Sequence, residues 1–261
     1  VGTTPFAVAF DGSHIWVTNF GSNNVTELDT SGNVVGTFAV GVSPAGIAFD
    51  GTHLWVANNG DNTVTALDTS GTVVANFATG TDPDGIAFDG SHIWITNTGS
   101  NNVTELSMSG SPLGTFAVGM EPGGIVFDGS HIWVANKGSY TVTELNTSGT
   151  TLGTFAVGPD PGGIAFDGTH IWVANNGGGT VTELDMSGNV FSTFAVSSQP
   201  TGLAFDGSHM WLASFGTNTV TEFDTSGDVV TTFAAAGPAA LAYDGTHIWF
   251  TNTGNGTVGR L

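Results

Sequence analysis

The chain has 261 residues, no cysteine, 22 acidic side chains and only two basic ones, Lys137 and Arg260, for a formal net charge of −20. Absence of cysteine excludes a disulfide framework and thiolate chemistry. A field of this sign repels phosphate backbones and anionic headgroups, so nucleic acid is excluded as a partner. No apolar run of about 18 residues is present, so membrane insertion is not expected either.

The first element opens near Pro5, and the same pattern restarts near Pro44, Pro83, Pro122, Pro161, Pro200 and Pro238. Each copy carries a His-x-Trp, from His14 and Trp16 in the first to His247 and Trp249 in the last. The spacing is 39 residues, shortened once to 38. No linker or shift of composition interrupts the array, so residues 1–261 are expected to form one domain. A unit of this length cannot bury its apolar face alone and must stack on its neighbours.

Residues 44–82 represent the unit. Four β-type runs follow one another: GIAF, HLWVAN, TVTALD and VVANF. Each is rich in β-branched or aromatic residues and is bounded by Gly, Asn, Asp or Pro. Asp50-Gly51-Thr52 joins the first pair with hairpin chemistry, because Gly accepts positive φ. Asn58-Asn59-Gly60-Asp61 joins the second pair and Asp68-Thr69-Ser70-Gly71 the third. Pro44 and Pro83 belong to the connections, since proline cannot donate to a ladder. The second run is apolar on both faces, as expected of a strand covered on both sides. The prediction is all-β: a seven-bladed β-propeller of four-stranded repeats, with Trp packing blade on blade. The last copy stops at Leu261 after its third strand, so the seventh blade is expected to lack its fourth strand. Residues 257–261 then form an exposed edge open to self-association or a partner strand, with Arg260 as a charged guard.

The run Pro-x-Gly-Ile-Ala-x-Asp-Gly, then a strand, then Asn-x-Gly, resembles the NHL-type and streptogramin B (virginiamycin B) lyase-like propeller repeats. Ile248-Trp249-Phe250-Thr251-Asn252 with Val258-Gly259-Arg260-Leu261 carries the likeness to the lyase repeat. The resemblance covers the whole chain and implies the propeller fold. It also implies, for a lyase, histidines just after the connecting Pro and a Glu at the end of strand two near a magnesium ion. Here no residue after the Pro is His, and the position three after the Trp holds no Glu; Ala239 and Asn252 stand there in copy seven. No catalytic residue is therefore assigned.

Comparing the copies separates two faces. The turns after strands one and three are nearly uniform, as in Asp29-Thr30-Ser31-Gly32 and Asp224-Thr225-Ser226-Gly227. The other two connections differ from copy to copy, and loops on a rigid scaffold are where function concentrates. On that varied face Phe6, Phe20, Phe215, Lys137 and Tyr140 are the candidate ligand-binding residues. Asp82, Asp84, Glu121 and Asp160 come from three successive connections. They are a candidate Ca²⁺ or Mg²⁺ site, against the alternative of a solvated acidic rim. No cofactor is required by any motif. The histidines are expected to bond their own turns, and the repeated Asn19, Asn58, Asn97, Asn136, Asn175 and Asn252 to serve turn geometry. Glu27, Glu105, Glu144, Glu183 and Glu222 read as exposed strand residues.

The expected function is a non-catalytic scaffold or binding module that takes a small molecule, peptide or glycan on the varied face. The alternatives are a lyase-like or other metal-dependent enzyme, and an engineered or recently amplified array without a defined activity. The Thr/Asn/Gly-rich, Lys-poor composition suits a bacterial secreted or cell-surface protein. No basic region followed by an apolar run marks a signal peptide within the sequence.

Overall fold

The computed structural model describes residues 1–261 as twenty-seven strands and no helix. With no helix, none is long and apolar enough to cross a membrane. Six antiparallel sheets of four strands fill residues 5–234, and a three-stranded sheet follows. In the first blade the strands are β1 (Pro5–Phe10), β2 (Ile15–Asn19), β3 (Asn24–Leu28) and β4 (Val34–Ala39), paired in that order. The later blades repeat it as β5–β8 (residues 44–78), β9–β12 (83–117), β13–β16 (122–156), β17–β20 (161–195) and β21–β24 (200–234). The seventh blade is β25 (Pro238–Tyr243), β26 (Ile248–Asn252) and β27 (Thr257–Arg260). The first strands line the centre, where each lies against the first strand of the next blade. The seven-bladed ring and its three-stranded last blade are thus as the repeat predicts.

Every second strand is buried from the residue after its His to its end, and every fourth strand opens with two exposed residues and then alternates half-buried and exposed, as the two-sided and edge positions require. The Trp packs between blades: Trp16 lies with Ile47, Leu54, Val56 and Leu67 of the second blade. The ring closes through the same contacts, with Trp249 packed on Val8, Ile15, Val17 and Leu28. Thr251 Oγ1 donates to the carbonyl of Phe6 at 3.0 Å across the closure, as Thr18 Oγ1 does to Ala45 at 2.7 Å.

The uniform face owes its uniformity to one carboxylate per blade. In all seven, the Asp of the Asp-Gly turn accepts the backbone N–H of the His at 2.6–2.7 Å through Oδ1. Its Oδ2 accepts the Trp Nε1–H at 2.7–2.8 Å. One side chain thus closes the hairpin and satisfies the polar edge of a buried indole. For Asp11, Asp167, Asp206 and Asp244, burial alone would push the carboxyl up. The hydrogen bonds outweigh burial and hold it below the usual carboxylate range.

Two expectations are corrected here. The strand-three glutamates are not exposed: Glu27, Glu105 and Glu144 are buried, and Glu183 is 1 % exposed. Each stands opposite the Trp of strand two and beneath the neighbouring blade, and burial pushes its carboxyl up. The His ring serves these acids as well as its own turn, since His92 Nδ1 lies 3.1 Å from Glu105 and His131 Nδ1 3.0 Å from Glu144. Nor are the repeated asparagines left-handed turn residues. They are buried ends of strand two, and Asn19, Asn58, Asn97 and Asn252 grip the connection between blades: Asn58 Oδ1 accepts Gly41 N–H at 3.1 Å and Asn97 Oδ1 accepts Gly80 N–H at 3.0 Å, whereas the Oδ1 atoms of Asn136 and Asn175 are unpaired. The left-handed asparagines are Asn23, Asn62, Asn101 and Asn218, four residues further along.

Candidate binding site

The varied residues stand on a backbone that scarcely varies. The residue before each connecting Pro has positive φ, from 52° at Thr4 and Glu121 to 65° at Gly237. Its carbonyl accepts the N–H of the variable residue of the second connection: Thr4 pairs with Phe20, Asp82 with Thr98, Glu121 with Lys137, Asp160 with Asn176 and Gln199 with Phe215. Immediately after the Pro, each first strand departs from regular register, as between Pro5 and Val8. Such a bulge re-aims one side chain, and here it turns the residue after Pro towards the central channel. The glycine that follows lets inner strands meet: a Cβ on Gly85 would collide with the Gly123 carbonyl, and one on Gly202 with that of Ala239.

A cavity of about 430 Å³ opens where these positions converge, within the range of small-ligand sites. Its wall is two-sided. Phe6, Ala7, Ala239 and Ala240 contribute apolar surface, and Asp84, Lys137, Asp160, Asn176 and Thr201 the polar part. Phe6 and Phe20 pair with ring centroids 5.8 Å apart. Lys137 Nζ lies 3.0 Å from Asp84 Oδ2, bridging from the fourth blade to the third. The Asp84 carboxylate raises the Lys137 pKa against the cost of burial, helped by Asp160 and Glu121.

The structure therefore brings together Phe6, Phe20, Asp84, Lys137 and Asp160 of the residues singled out from sequence. Phe215 is exposed and sits beside Gly237, apart from the Phe6–Phe20 pair. Tyr140 is exposed at the outer rim with φ 57° and does not line the cavity. No three of Asp82, Asp84, Glu121 and Asp160 bring carboxylate oxygens within 4.8 Å of one another; the one three-residue group that does is Asp206, His209 and Glu222 on the uniform face. At the acidic rim the Lys137 ammonium is the cation among the carboxylates. Sequence comparison of the copies missed Thr201 and Asn176 as wall residues, although both stand at varied positions.

The reason the selected residues differ is visible in their bonds. Asn59, Thr98 and Asn176 spend their side chains on the carbonyl of the next connecting Pro, at 3.3, 2.8 and 3.2 Å. Phe20, Lys137 and Phe215 occupy the same repeat position without that bond, and their side chains are free for other contacts.

No family model and no curated protein sequence matches the chain. Among solved structures, virginiamycin B lyase from Staphylococcus aureus superposes with a TM-score of 0.86 at 16% identity, covering 99% of this chain and 94% of that one. Hydrazine synthase from Kuenenia stuttgartiensis superposes with a TM-score of 0.85 at 20% identity, covering 99% and 95%. A functionally unknown protein from Desulfotomaculum acetoxidans gives 0.79 at 18% identity, covering 100% and 90%. The seven-bladed propeller of the streptogramin B lyases is thus the fold of this chain. At such identity the likeness is one of fold, which hosts unrelated activities.

Proposed function

We propose that the chain is a non-catalytic binding module and that the channel mouth takes a small amphiphilic cation, an amine beside an apolar or aromatic group. The observation that carries this reading is the two-sided cavity: Phe6, backed by Phe20, on one wall and, on the other, the Asp84 and Asp160 carboxylates beside a single ammonium, with Glu121 near it outside the wall. Asp84, Glu121 and Asp160 exceed Lys137 by two charges, so a second cation is favoured and an anion opposed. The proteins of like fold include lyases, but the positions that the lyase resemblance makes catalytic hold no His or Glu here, which favours binding over chemistry.

Isothermal titration with 2-phenylethylamine, and with phenylacetate as the matched anion, tests the proposal. The amine is expected to bind and the anion not. Lys137→Ala, by freeing Asp84, is expected to tighten amine binding about tenfold, and Asp84→Asn to weaken it by a similar factor, roughly the worth of one charge-assisted hydrogen bond. Equal binding of both probes, or none of either, would overturn the reading.

A further inference from the structure

A second cavity, of about 330 Å³, opens on the outer rim between the first and second blades, at the small end of the range of small-ligand sites. None of its residues lines the channel mouth. Two of its side chains each occur once at their repeat position. Asp61 stands where the first, third and fourth copies carry Ser22, Ser100 and Ser139, and Asn76 stands where the other fourth strands carry a Thr, from Thr37 to Thr232. In those three copies the Ser Oγ accepts a backbone N–H of the connection, as Ser22 does from Thr3 at 2.8 Å and Ser100 from Thr81 at 2.7 Å. Asp61 keeps this bond, its Oδ2 accepting the Val42 N–H at 2.6 Å, and adds a second oxygen, Oδ1, that no group of the chain engages.

The second exchange supplies the opposite kind of group. Thr65 Oγ1 donates to Asn76 Oδ1 at 2.6 Å, which fixes the amide and leaves both N–H groups of its Nδ2 unspent. Asn58 Nδ2 donates to Thr63 Oγ1 at 3.0 Å, so the Thr63 hydroxyl proton is also unspent. The wall thus offers a carboxylate acceptor from Asp61 and donors from Asn76 and Thr63, with Val40 and Val73 as apolar surface. An ammonium here would face the two donor groups, and an anion would face the Asp61 carboxylate. A hydroxyl both donates and accepts, so neighbouring hydroxyls on one ring can satisfy this wall while the ring C–H groups lie on the valines. We propose that this groove binds one pyranose ring of a neutral carbohydrate. Asp61 accepts from one hydroxyl, Asn76 donates to its neighbour, and these two residues specify the site.

The test is saturation-transfer NMR of the full chain with the methyl pyranosides of glucose, galactose and mannose, each titrated through the millimolar range. At least one is expected to give a saturable signal. Asp61→Ser and Asn76→Thr restore the residues that other copies carry at the same positions, so both variants keep the fold. Asp61→Ser should weaken binding about tenfold or more, the worth of a charge-assisted hydrogen bond, and Asn76→Thr about fivefold, the worth of a neutral one. Excess 2-phenylethylamine, directed to the channel mouth, should leave the sugar signal unchanged, so the two sites stand or fall separately. Absence of a saturable signal from all three sugars overturns the proposal, as does unchanged affinity in either variant. Displacement of the sugar by the amine also overturns it.

Discussion

The two faces of the disc are built by the same repeat and held by opposite means. On the uniform face one Asp per blade fastens the hairpin and the Trp with side-chain bonds, so the residues themselves cannot change. On the varied face the fastening is done by backbone groups and by buried asparagines. The side chains nearer the surface add bonds in some copies and none in others, so they are free to differ. Repetition therefore marks framework, and disagreement between copies marks the surface where a ligand can be specified.

Substitution on the uniform face separates the two most sharply. Asp128→Ala strips the acceptor from the buried Trp133 N–H and from the His131 and Ser130 amides. Leaving a buried indole donor unpaired and the turn open is expected to cost about 3 kcal/mol, seen as a lower urea midpoint at unchanged slope. Lys137→Ala, on the varied face, is expected to change stability by less than about 1 kcal/mol in the same experiment, because its ion pair with Asp84 is partly exposed.

Acid should act on the uniform face with two opposed signs. Glu27, Glu105, Glu144 and Glu183 have carboxyls raised by burial, so the stability they contribute is present below the unfolded value and is lost as pH rises through the folded one. Asp11, Asp167, Asp206 and Asp244 are lowered by their hydrogen bonds despite burial, so their contribution is present above the unfolded value and is lost as pH falls through the folded one. Lowering the pH from neutral should first relieve the glutamates and then break the aspartates, giving a stability maximum on the acidic side. Urea midpoints measured from about pH 8 to about pH 4 would show it. Replacing the four glutamates by Gln should flatten the rise on the neutral side and leave the acid loss intact. A midpoint already falling from neutral pH downward would contradict this balance.

Much of this was legible in the residues. Period, turn chemistry and the two-sided second run point to seven blades and to Trp between them, because those features are local and repeat. The division into faces also follows from comparing copies. What sequence alone could not supply was depth. Glu27 and its equivalents alternate with Thr and Val in a third strand, a pattern that suits an exposed outer position. Their burial depends on how closely the next blade approaches, a tertiary quantity. The asparagines misled for a related reason: Asn at a loop boundary suggests a left-handed turn, and only the connection lying 17 residues earlier shows what Asn58 grips. At the channel, the convergence of Asp84 and Lys137 across a blade boundary comes from the ring, while their types and variability were already visible.

The smallest effect asks whether variation on the ligand face is bought at the expense of the fold. Asn23, Asn62, Asn101 and Asn218 stand in the left-handed region, and each accepts the N–H of the residue before the next Pro through Oδ1, at 2.8–2.9 Å. Tyr140 occupies the same position with φ 57°, where a bulky side chain is strained and no amide oxygen is on hand. Tyr140→Asn should relieve the strain and supply the acceptor, raising stability by about 1 kcal/mol in urea unfolding. Because Tyr140 lies outside the cavity wall, affinity for 2-phenylethylamine should stay unchanged. A variant that gains stability and keeps that affinity would place Tyr140 outside the channel-mouth site. Loss of affinity would extend the site from the channel to the rim and move the boundary between framework and ligand surface outward by one loop.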